Sequence, residues 1–198
     1  MRGARSHPRR VDRVTGAPAG IPVPIGYFPK RRTPRGDVLK SPGVREICSV
    51  SECIASGPDD WIRAWRHNDW GCYDDPSTAW EVVREEERDA FGMFAYELFP
   101  VRYVNGDAEA LAVAAPAVRS IPASFEALGY DVVSRGSSSF FECSPLSCNG
   151  WADEVGANTY CLLDDLAEAH RLAAIAEAEG YEPGDYHVLR VWRERRPA

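Results

Sequence analysis

The chain has 198 residues, of which 44% are apolar and 27% charged, with a formal charge of −7. That composition is ordinary for a globular protein, and the length suits one well-filled domain or two small ones. The charge is unevenly divided: residues 1–40 carry ten Arg or Lys against Asp12 and Asp37, whereas residues 41–198 carry thirteen Arg against twenty-eight acids. An acidic body repels phosphate backbones, which argues against nucleic-acid binding by the folded part.

In chain order, residues 1–40 are rich in Arg, Pro and Gly and read as a basic disordered tail. The Ile21–Phe28 run is their one short apolar patch. No secretory signal follows Arg9-Arg10, and no run of about 20 apolar residues is present to span a membrane. A cytoplasmic location is therefore expected, where the six cysteines stay reduced.

Residues 41–198 read as a single α+β domain. Strand-like runs are expected at 46–52, 94–104, 111–114, 130–134, 140–142 and 186–192, and a short helix at 58–67. Asn105-Gly106 suits a hairpin turn. Asp75-Pro76 starts a helix expected to reach about residue 89. A second helix begins at Asp165, with Glu168 completing a reciprocal cap, and stops near Gly180. Short apolar runs at 70–73 and 160–163 precede the helices, giving β-α-β twice.

Residues 45–101 laid without a gap on 135–191 match at twelve of fifty-seven positions, among them Cys53/Cys143, Trp61/Trp151, Asn68/Asn158, Asp74/Asp164, Asp75/Asp165 and Tyr96/Tyr186. This predicts two diverged copies sharing one pseudo-symmetric core. Asp75 and Asp165 then read as helix caps, and the paired Trp and Tyr as core anchors. Asn68 and Asn158 suit left-handed turns, or a ligand.

Two chemistries fit the remaining residues. A cysteine nucleophile at Cys143 would need a base such as His170 or His187 and an orienter such as Asp164 or Asn158. Ser147, Cys148 and Asn149 complete the candidates of that enzyme reading. Zinc is the other use, through Cys48 and Cys53 with Cys143 and Cys148, each pair separated by four residues. Under the repeat, however, Cys48 aligns with Ser138 and Cys148 with Pro58, so the pairs are not equivalent. No glycine-rich phosphate loop or dinucleotide fingerprint occurs, so no cofactor is expected.

The segments Gly129-Tyr130-Asp131-Val132-Val133-Ser134, Phe141-Glu142-Cys143-Ser144-Pro145-Leu146-Ser147-Cys148-Asn149 and Glu182-Pro183-Gly184 resemble a group of bacterial proteins. That resemblance implies no activity and transfers no functional residue. The residues favour a small intracellular binding or regulatory protein. Its small-molecule or protein partner would sit where the copies meet. An enzyme centred on the second copy is the alternative.

Overall fold

The computed structural model describes residues 20–34, 41, 43–51, 53, 57–58, 67–114, 117–136, 141–148 and 150–195. The tail residues 1–19, the helix expected at 58–67 with Trp61, and Asn149 lie outside them, apart from Pro58 and His67. All strand pairing is antiparallel. Strands β1 (Val23–Arg31), β2 (Phe91–Leu98), β6 (Asp185–Glu194) and β5 (Phe125–Arg135) lie side by side in that order. A hairpin of β3 (Val101–Val104) and β4 (Asp107–Ala110) continues the β2 side of β6 through the Tyr103–Tyr186 pair.

Strand β1 corrects the expected tail. Residues 23–31 are ordered sheet, with Ile25, Tyr27 and Phe28 buried in the core. Pro24 and Pro29 are tolerated because β1 has β2 on one side and, among the described residues, a single bridge, Tyr27–Tyr73, on the other, so few ladder donors are forfeited.

The expected strand 94–104 is two strands, broken at Phe99-Pro100. Residues 46–51 and 111–114 form no strand; β4 falls just before the latter. The helix begun at Asp75 is cut short. α1 covers Pro76–Glu81 and a 3-10 helix follows at Glu85–Ala90. Val82 and Val83 are β-branched and interrupt the better helix formers.

The C-terminal helix α4 (Leu166–Glu179) matches expectation. It presents Ala169, Leu172, Ala173, Ile175 and Ala176 to the sheet and ends at Gly180, whose φ of 62° is left-handed. Asp165 accepts the Glu168 N–H at 2.8 Å, but the Glu168 carboxylate turns to Arg171 instead of closing the cap. Asn105-Gly106 makes the β3–β4 turn with both φ angles positive, as its type I′ geometry requires.

The runs 70–73 and 160–163 are turns, each touching the sheet by one bridge, Tyr27–Tyr73 and Tyr130–Leu163. Two asparagines shape them alike. The Asn68 Oδ1 accepts the N–H groups of Trp70 and Cys72 at 3.0 and 3.2 Å, and its amide donates to Ile25 O and Asp74 Oδ1 at 2.9 and 3.0 Å. Asn158 accepts from Tyr160 and Leu162 at 2.9 and 3.2 Å and donates to Leu128 O and Asp164 Oδ1 at 2.9 and 2.8 Å.

Each turn crosses a strand at a glycine. Cβ atoms on Gly26 and Gly129 would lie 2.7 Å from the carbonyl oxygens of Tyr73 and Leu163, and both have strongly positive φ. In the sheet these glycines end one row, Gly26–Tyr96–Val191–Gly129. The constant offset of ninety therefore holds across the asparagine turns but not in the strands. The glycines are 103 residues apart, and the ladder sets Tyr96 against Val191, ninety-five apart, rather than against Tyr186. Tyr96, Tyr186 and Trp151 are all buried, as core anchors should be.

Candidate functional site: a three-thiol cluster over a buried polar network

The site begins with two charged side chains that are almost fully buried. Lys30, near the end of β1, donates from Nζ to the carbonyls of Ser49, Val50 and Ser51 at 2.8, 3.0 and 2.6 Å. Asp131, on β5, accepts the Ser49 hydroxyl and the Val50 N–H on one oxygen, at 2.7 and 2.8 Å. Its other oxygen accepts the Val132 N–H and the Ser144 hydroxyl, at 2.9 and 2.7 Å. Burial pushes the Asp131 carboxyl above its ordinary range, while the two serines, the Val50 N–H and the Lys30 charge pull the other way. Neither charge is left without hydrogen bonds, which is what makes their burial tolerable. Together they clamp the irregular segment 49–51 between β1 and β5.

Both flanks of this clamp carry cysteines. Beyond Ser51 the chain reaches Cys53, whose N–H donates to the Ser51 hydroxyl at 3.2 Å, and that hydroxyl donates to Glu142 O at 2.7 Å. Cys143 is held on the β5 edge: its N–H donates to Ser134 Oγ at 3.2 Å and its carbonyl accepts the Ser134 N–H at 2.8 Å. Ser144 then precedes the one-turn helix α2 (Pro145–Cys148), which ends on Cys148 and is followed by the short helix α3 (Ala152–Val155).

The three sulfurs of Cys53, Cys143 and Cys148 lie within 4.8 Å of one another. Cys53 and Cys143 are 3.0 Å apart, and the Cys148 thiol lies 3.6 and 3.7 Å from the hydroxyls of Ser51 and Ser147. Cys53 is exposed and the other two are half-buried. Burial is the main cause raising the thiols of Cys143 and Cys148 above their ordinary range, and the neighbouring Cys53 thiol raises Cys143 further.

The zinc set expected from sequence is thereby revised. Cys48 is buried in the apolar core, its N–H bonded to Tyr160 O at 3.1 Å, and it does not join the cluster. The clamp at 49–51 turns the chain between Cys48 and Cys53, so the two face different surroundings.

The groups of the enzyme reading are engaged elsewhere. His170 sits in α4 with Nδ1 2.6 Å from the Tyr103 hydroxyl. His187 is buried beside Trp70 and Phe141, with no hydrogen-bond partner at Nδ1 among the described residues. Asn158 and Asp164 bond each other and the turn they build, and Ser147 is buried. No histidine is hydrogen-bonded to Cys143 or Cys148 among the described residues. Sequence reasoning missed Lys30 and Asp131 altogether; a lysine in a run of apolar and proline residues was the only available signal.

An open cleft of about 670 Å³ lies elsewhere, at the end of β2 and β6, bordered by Arg32, Trp80, Arg88 and Met93. No thiol borders this cleft among the described residues. Compared with known proteins, the chain matches no family model, no curated protein and no solved structure. No described helix is long and apolar enough to cross a membrane.

Proposed function

We propose that this protein is a binding protein whose ligand is a soft metal ion of the zinc class, held by Cys53, Cys143 and Cys148. The observation that carries the reading is the convergence of three sulfurs within 4.8 Å from segments ninety residues apart in sequence. Thiolates about 2.3 Å from a tetrahedral ion stand about 3.8 Å from one another, so small side-chain rotations would admit the metal. An all-sulfur set favours zinc or copper(I) over magnesium or calcium, which take oxygen ligands. A bound cation would also offset the burial that raises the thiols of Cys143 and Cys148. Three thiolates leave a fourth coordination position for water or a small ligand.

Titration of the reduced, metal-free protein with cadmium, read by its thiolate charge-transfer absorption, tests this. One ion per chain is expected, lost in Cys143→Ser and retained in Cys48→Ala. Absence of a saturating band, or equal loss in Cys48→Ala, rejects the site.

We infer further that the body descends from one duplicated unit, consisting of a strand with a glycine crossing, an asparagine turn, a capped helix and a return strand. The matching hydrogen bonds of Asn68 and Asn158, the matching approaches at Gly26 and Gly129 and the shared caps Asp75 and Asp165 support that reading. On this view the thiol cluster joins one half to the other, in keeping with a ligand held where the copies meet.

A further inference from the structure

We propose that Cys53 and Cys143 form an oxidation site. A peroxide-class oxidant joins them as a disulfide and leaves Cys148 a free thiol. The two sulfurs are 3.0 Å apart, nearer than two thiolates sharing a zinc ion at about 3.8 Å, and about 1 Å from bonding distance. Cys53 is exposed, its sulfur donating to the Glu142 carbonyl at 3.2 Å, so it is the thiol an oxidant meets. Cys143 stands behind it, its backbone fixed to Ser134 on the β5 edge. Cys148 lies deeper, against the Ser51 and Ser147 hydroxyls. The pairing is thus set by position: one reachable sulfur, one fixed neighbour and one sulfur held aside.

The chemistry balances with hydrogen peroxide as the oxidant. The Cys53 thiolate attacks one peroxide oxygen; an S–O bond forms, the O–O bond breaks, and the departing hydroxide takes a proton to become water. The Cys143 sulfur then attacks the Cys53 sulfur, forming the S–S bond and breaking the S–O bond. The hydroxyl leaves with the Cys143 proton as a second water. Two thiols have lost two electrons and the peroxide has gained them. The disulfide would remove two of the three sulfurs available to a metal, so oxidation and ion binding exclude each other. The oxidation itself rests on the sulfur positions alone and needs no metal.

The test treats reduced, chelator-stripped full-length protein with one equivalent of hydrogen peroxide, alkylates the remaining thiols and maps peptides by mass. A linked Cys53–Cys143 peptide, two hydrogens lighter, alkylated Cys148 and full reversal by dithiothreitol are expected. Cys148→Ser should give the same link. In Cys143→Ser, a dimedone adduct should accumulate on Cys53. A Cys143–Cys148 link in the unmodified protein would overturn the proposal. So would sulfinic acid at Cys53 with Cys143 alkylated. A protein that forms the link but binds no cadmium rejects the metal reading alone, and the reverse result rejects this one alone.

Discussion

His187 provides a quantitative test of how the sheet buries its polar groups. It lies on β6 with only 3% of its surface exposed, against the rings of Trp70 and Phe141, and the guanidinium of Arg135 stacks over the same Trp70 ring. Burial, reinforced by the charges of Arg135 and Arg102, depresses its pKa from 6.5 to about 4. The unfolded chain takes up a proton near pH 6.5 while the folded one resists until about pH 4. The stabilising contribution is therefore complete above pH 6.5 and disappears as the pH falls through that window. At about 1.4 kcal/mol per pKa unit, the loss between pH 7 and pH 4 is about 3 kcal/mol. Urea unfolding of the native chain and His187→Leu, at pH 7, 5.5 and 4, isolates this share, because every other titrating group is common to both. The gap between the two should shift by about 3 kcal/mol in favour of the leucine variant on acidification. Parallel stability curves would show that His187 is solvated, and would refute the packing described for β6.

Three further substitutions probe the turns. Asn158→Ala removes four hydrogen bonds and strands the N–H groups of Tyr160 and Leu162. It should cost about 3 kcal/mol in urea unfolding, with hydrogen exchange accelerating first at Leu162, whose N–H is one of the two stranded. Gly129→Ala places a methyl group 2.7 Å from the Leu163 carbonyl at a φ of +144°, and Gly26→Ala does the same against Tyr73 at +139°. Each should lower stability by about 3 kcal/mol, and a tolerated alanine at either position would contradict the close crossing.

Features governed by short-range chemistry were legible in the sequence. Asp75 and Asp165 cap helices, Asn105-Gly106 turns the hairpin, and Gly180 ends α4, because each needs only its neighbours to act. The sequence aligns Cys53 with Cys143 but does not place them in contact; the structure brings those two sulfurs to 3.0 Å. What depended on distant partners was hidden. The Val23–Arg31 segment reads as tail because two prolines and a lysine suppress its apolar signal; β2 and the three carbonyls around Lys30 make it a strand. Runs 70–73 and 160–163 have strand composition, but the side chains of Asn68 and Asn158 satisfy their backbone and curl them. Spacing alone groups Cys48 with Cys53, and it carries no information about the bend of the chain between them.

The Lys30 amine has a practical consequence. Lys30 and Lys40 are the two lysines of the sequence, and all three Nζ hydrogens of Lys30 are directed at carbonyls of residues 49–51. Acylation requires a neutral amine with a free lone pair, so an amine-reactive label attaches at Lys30 only when that segment lifts away. The rate of its labelling therefore serves as an internal clock for opening of the strap that carries Cys53.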